Sequence, residues 1–118
     1  MASLSVEGDE LVLTMTALEK VEGFHGSIRV PVSTVRQVRS VDDTWSELRG
    51  LRAPGTGVPG VIAVGTRRGG GIKDFAVVHG QGPGLVVDME GAEFDRFVLT
   101  EEHSAAVATE LRQQIGLT

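Results

Sequence analysis

Apolar residues along this chain come in short runs, and the runs are clearest between Val61 and Thr100. Val61–Thr66, Asp74–His79, Leu85–Met89 and Phe94–Thr100 are strand-length and rich in Val, Ile and Phe. Turns at Arg68–Gly71, Gly80–Gly84 and Glu90–Glu93 separate them. Short apolar runs punctuated by glycine predict an antiparallel meander. Alternation assigns the faces. Ile62 and Val64 share one face, against Val61, Ala63 and Gly65. Ala76 and Val78 oppose Phe75, Val77 and His79. Leu85, Val87 and Met89 lie together, which leaves Asp88 and Glu90 on a solvated side with Val86. Phe94 and Val98 oppose Phe97 and Leu99. With both faces apolar, that run reads as a central or covered strand.

Upstream the pattern is more broken. Leu4–Val6 and Glu10–Met15 flank Gly8-Asp9, as in a small hairpin or in one strand interrupted by a turn. Thr16 followed by Glu19 is a capping-box pair, which predicts a helical turn over Thr16–Val21 ending near Gly23. Gly26–Val30 returns to an extended pattern. Pro31 has no N–H for a ladder and marks an edge or corner. Val32, Val35, Val38 and Val41 recur every three residues, a period that suits neither strand nor helix. The reading is a bend at Val32–Thr34 and a strand from Val35 to Val41, with a bulge to keep the valines inside.

Residues 42–60 read as a long irregular connection, because Gly50–Gly60 holds two prolines and four glycines. Trp45, with Leu48 or Leu51, would pin this loop to the core. The last element is an amphipathic helix. Thr100 would cap it, Glu101 and Glu102 would sit in its first turn, and Gly116 would stop it. Val107, Leu111 and Ile115 form its apolar stripe, with Ala105 and Ala108 alongside. Such a stripe must lie on a sheet or in a barrel mouth.

Length and composition narrow this picture. A chain of 118 residues fits one domain, 1–118, around one core. Aromatics are only 4%, so Val, Leu, Ile and Ala must build that core around a few large rings. The net charge of -5 argues against nucleic-acid binding over the whole surface. Yet eight basic residues stand against three acids between Arg29 and Lys73. Either they pair with the acids of the flanks across the sheet, or they gather on one surface and hold an anion. There is no cysteine, which rules out disulfides and thiolate metal sites and suits the cytoplasm. MASLSVEGDE has early acids and no long apolar run, so no signal peptide is expected. No stretch approaches the length of a membrane helix.

Three segments, PVSTVRQVRSVDD (Pro31–Asp43), GLVVDMEGAEFDRFVLT (Gly84–Thr100) and SAAVATELRQQIG (Ser104–Gly116), together resemble the bacterial pleckstrin-homology-like domains. The resemblance implies a mainly β fold with one α-helix. Two near-orthogonal antiparallel sheets would form a split barrel capped by the C-terminal helix. It further implies a non-enzymatic domain, of a family in which some members oligomerise. Phosphoinositide-binding relatives crowd Lys and Arg around their first inter-strand loop. Here the matching region, Thr16–Gly26, offers Lys20 and His25 beside Glu19 and Glu22, which speaks against inositol-lipid recognition.

Candidate chemistry is sparse. His25, His79 and His103 have no metal-binding spacing, and neither HExxH nor GxSxG occurs. No enzyme activity, metal or cofactor is therefore expected. The sharpest local feature is the basic glycine tract at residues 66–73. Successive amides through Gly69 and Gly70 can form an anion nest, with Arg67, Arg68 and Lys73 to grip a phosphate or lipid head group. The other reading of the tract is a solvated hairpin tip. Open sheet edges also allow a protein partner or a homo-oligomer. The leading expectation is a cytoplasmic protein-interaction or self-association module. The alternative is an anion or lipid-head-group binder at 66–73 with peripheral membrane contact.

Overall fold

The computed structural model describes residues 2–23 and 26–117. Its nine strands are β1 (Ser3–Glu7), β2 (Glu10–Thr14), β3 (Ile28–Pro31), β4 (Val35–Val41), β5 (Leu51–Val58), β6 (Ile62–Gly69), β7 (Ile72–His79), β8 (Gly84–Met89) and β9 (Arg96–Thr100). The helices are α1 (Ala17–Gly23) and α2 (Ser104–Ile115). The strands form a three-stranded sheet, β1-β2-β3, and a six-stranded sheet, β4-β8-β9-β7-β6-β5. The fold is thus mainly β, with two sheets and a C-terminal helix. It is consistent with a PH-like split barrel, although the barrel does not close.

Local sequence explains most elements. Gly8, with φ 61°, lets the β1–β2 hairpin turn. The Thr16–Glu19 capping box forms in full. Glu19 N–H donates to Thr16 Oγ1 at 3.2 Å, and Thr16 N–H donates to Glu19 Oε1 at 2.9 Å. Pro31 ends edge strand β3, opposite Glu10. A 3₁₀ turn at Val32–Thr34 leads into β4, whose register shifts between Val35 and Gln37 as the valine spacing requires.

The large core lies between the two sheets. Phe75, Phe97, Leu85 and Leu99 from the large sheet meet Leu11, Leu13 and Val30 from the small one. Ala108 and Leu111 of α2 join them, with Val107 and Ile115 packed alongside. α2 lies against β4, β1 and β8, and ends in a left-handed Gly116 whose N–H reaches the Arg112 carbonyl at 3.0 Å. A smaller cluster, Ala63, Ala76, Val78, Val86 and Val98, paves the opposite face of the large sheet, where Val41, Trp45 and Leu48 cover it.

Five expectations need correction. Phe94 precedes β9 and packs in the large core beside Phe97, with 6.0 Å between ring centres, instead of opposing it on the face of Val98. The last four runs are not a meander: β9 inserts between β7 and β8 and runs parallel to β7. Alternation fixes faces but not lateral order, and the strand apolar on both sides took the central place. Residues 51–58 are a strand, not a loop. β5 is an edge strand whose register shifts between Arg52 and Gly55, so Ala53 and Pro54 fall in the irregularity and the ladder loses little to proline. Thr100 does not cap α2. It ends β9 and accepts the His79 N–H at 3.3 Å, while His103 holds the cap position without a side-chain bond. Asp88 does not face open water, because Arg39 and Arg96 both pair with it.

Candidate functional site

The outer face of the large sheet carries two kinds of row. Register aligns Gly65, Ala76, Val98 and Val86 across β6, β7, β9 and β8, a floor of small side chains. One step along, it aligns Arg67, Asp74, Arg96 and Asp88, a ladder of alternating charge. Opposite charges facing each other across strands stabilise a sheet. Arg96 Nε meets Asp88 Oδ1 at 2.8 Å, and Arg39 Nε meets Asp88 Oδ2 at 3.2 Å.

The connection between β4 and β5 is strapped over these rows largely by its own side chains. Arg49 forks onto Asp74, with Nε to Oδ2 and Nη2 to Oδ1 both at 2.8 Å. The Asp74 side chain is 2% exposed, so this bidentate pair is the anchor of the strap. The Asp74 carboxylate also holds the Arg49 guanidinium above its ordinary pKa, chiefly through the hydrogen bond, which outweighs the lowering by burial, with the Asp74 charge adding a smaller lift. Glu47 Oε1 reaches Arg39 at 3.3 Å and Arg96 at 3.7 Å. Trp45 Nε1 donates to the Gly80 carbonyl at 2.7 Å, and buried Thr44 donates through its N–H to Gly82 at 3.1 Å.

Where the strap meets edge strand β5, an open groove of about 350 Å³ remains. Ala63 and Gly57 line it, with Trp45, Leu51, Pro59 and Arg67. Leu51 is 78% exposed and Val58, also on β5, is 50% exposed. Two of the residues expected to pin the loop, Trp45 and Leu48, do pack on the sheet, whereas Leu51 turns out to solvent.

The residues of the basic glycine tract do not gather. Gly70 and Gly71, at φ 58° and 84°, form the two-residue turn between Gly69 and Ile72, as a type I′ hairpin requires. Arg67 lies in the outer charge ladder. Its Nε donates to the Arg49 carbonyl and its Nη2 to the Gly50 carbonyl, both at 3.0 Å. Arg68 and Lys73 face each other across β6 and β7, on the side away from Arg67. The Lys73 ammonium sits 3.6 Å from Glu93 and 4.7 Å from the centre of the Phe94 ring. Other cations of the basic block also find acids: Arg29 meets Glu7 and Glu10, and Arg36 meets Glu90.

One pair was not foreseen from the sequence. Buried Glu19 turns its second oxygen to His79 Nε2 at 2.8 Å, joining α1 to the end of β7. The capping-box motif revealed Glu19, but its second partner is sixty residues away. Neither residue lines the groove at β5. Among the described residues, no group of three or more His, Asp or Glu is placed to hold a metal. His103 is exposed at the start of α2, and His25 lies outside the described residues. No described helix is long and apolar enough to cross a membrane. Compared with protein-family models, curated proteins and solved structures, the chain matches none.

Proposed function

We propose that this chain is a PH-like, non-enzymatic interaction module of the cytoplasm, which associates with itself or with another protein through the β5 side of the large sheet. The observation that carries this reading is the pair Leu51 and Val58, exposed on an edge strand beside a groove walled by Trp45 and Pro59. Edge strands offer unpaired backbone groups, and exposed aliphatic residues beside a ring-lined groove are what protein contacts bury. The anion-binding alternative at Arg67, Arg68 and Lys73 has less support. Arg67 would have to release two strap carbonyls, and Lys73 would have to leave Glu93.

Light scattering over a wide concentration range tests the reading. The wild-type mass should rise toward that of a dimer, and the Leu51→Ser/Val58→Ser variant should stay monomeric. A wild type monomeric throughout would remove self-association. A mass unaffected by the two substitutions would remove β5 as the contact.

A further inference from the structure

A second groove, of about 280 Å³, lies on the other side of the molecule between β1 and α2. Its apolar walls include Leu4 and Val6 of β1 and Val107 and Leu111 of α2. Two carboxylates, Glu101 and Glu110, also line it. Neither is ion-paired among the described residues: Glu101 accepts the His103 N–H at 3.0 Å, and Glu110 accepts a bond from Gln114 at 3.4 Å. No lysine or arginine of the described chain lines the groove. This contrasts with the outer face of the large sheet, where each acid of the ladder meets arginine. Among the described residues β1 pairs only with β2, so no strand occupies its other edge.

We propose that this groove receives a lysine or arginine side chain carried on an extended segment of a partner protein. Three features of the site match that occupant. A long basic side chain has an aliphatic stem that suits the Leu4, Val6, Val107 and Leu111 walls. Its charged head suits Glu101 and Glu110, with charge-assisted hydrogen bonds. The open edge of β1 offers backbone groups along which an extended chain can align. The net charge of -5 favours encounter with a cationic segment. The inference rests on the interaction-module reading and gives it a partner chemistry, on a surface separate from β5.

The test is titration of the whole chain with a short acetylated, amidated peptide alternating lysine and threonine. A glutamate–threonine peptide serves as the control. Calorimetry should show binding of the lysine peptide alone, weakening as salt is added. Amide resonances of Ser3–Val6 and Val107–Gln114 should move. A Glu101→Gln/Glu110→Gln variant keeps the shape of both side chains and should bind about tenfold more weakly, equivalent to about 1.4 kcal/mol. Glu102→Gln, exposed and outside the groove, should leave affinity unchanged, and melting curves of all variants should match wild type. Equal binding of both peptides, no binding, shifts confined to other strands, or an unchanged affinity in the double variant would each overturn the proposal. Dimerisation abolished by Glu101→Gln/Glu110→Gln would instead assign the groove to a second copy. The Leu51→Ser/Val58→Ser variant should still bind the peptide. A wild type that associates through β5 but does not bind the peptide refutes the groove alone, and a wild type that binds the peptide but does not associate through β5 refutes β5 alone.

Discussion

The two faces of the six-stranded sheet are built on different principles. The inner face presents Phe75, Phe97, Leu85 and Leu99, and whole elements seal it: a second sheet and α2. The outer face presents alanines, valines and a charge ladder, and one connecting segment covers it. Inside, stability comes from apolar area removed from water, at about 25 cal/mol per Å². Outside, much of the cover is held by directed bonds onto a few acceptors, such as Asp74, Gly80 and Gly82. The first kind of packing fails all at once. The second can be undone one contact at a time, so the outer cover should open without unfolding the molecule.

Four substitutions test this contrast, in falling order of effect. Phe97→Ala empties the middle of the inner face and should cost about 3–5 kcal/mol in urea unfolding. Every probe should report that loss together. Arg49→Ala strands the Asp74 carboxylate in a nearly dry site. Because Arg49 is itself about one-third exposed, the cost should be discounted to about 2–3 kcal/mol. Here the probes should separate. Trp45 is the only tryptophan, and its fluorescence should change at lower urea than the circular dichroism of the sheet. Coincident transitions in Arg49→Ala would break the comparison.

The third change, Trp45→Phe, keeps a ring on the sheet but removes the donor to Gly80, and should cost about 1 kcal/mol. Faster hydrogen exchange confined to the strap would sharpen the comparison, whereas faster exchange throughout the sheet would contradict it. The last, Arg36→Ala, removes an exposed pair with Glu90 at 3.7 Å and should change the unfolding free energy by less than about 0.5 kcal/mol. The Arg49 pair also sets an expectation for pH. Its guanidinium pKa is raised in the folded state, so the linked stabilisation is complete below the titration of free arginine and is lost only as pH climbs through the higher folded value. Across neutral and mildly alkaline conditions the contribution of Arg49, as the wild-type minus Arg49→Ala difference, should stay constant.

How much of this was legible in the sequence depends on the range of the interaction. Local signals read well. The Thr16–Glu19 box, the Val35–Val41 strand with its bulge, the two faces of β6 to β9 and the Gly116 stop all depend on residues within a few positions of each other. What depended on distant partners was hidden. Gly50–Gly60 looks like a loop because its glycines and prolines oppose a strand locally. Pairing with β6 overrides that preference, and the bulge absorbs Pro54. The basic tract at 66–73 looked like a converging site because its cations are close in sequence. The pleat sends Arg67 to the face opposite Arg68 and Lys73, and the strap that occupies Arg67 comes from eighteen residues upstream. The exposure of Leu51 and the β1–α2 groove belong to the same class, since both are set by how elements are stacked.

The position of β9 dictates the order in which the molecule can be assembled. In the large sheet, β4 and β8 form one half and β7, β6 and β5 the other, and only β9 joins the halves edge to edge. Residues 96–100 follow all the other strands in the chain. During synthesis both halves therefore emerge from the ribosome before the strand that unites them. Until then Phe75 and Leu85 lie on separate ribbons, with apolar surface that a neighbouring nascent chain can meet. Completion has to wait for a short piece to slot between two waiting edges, one antiparallel and one parallel, so that two ladders must form in one step. A pulse-labelling experiment on refolding chains should find the amides of β9 and the flanking positions of β7 and β8 protected together, and last.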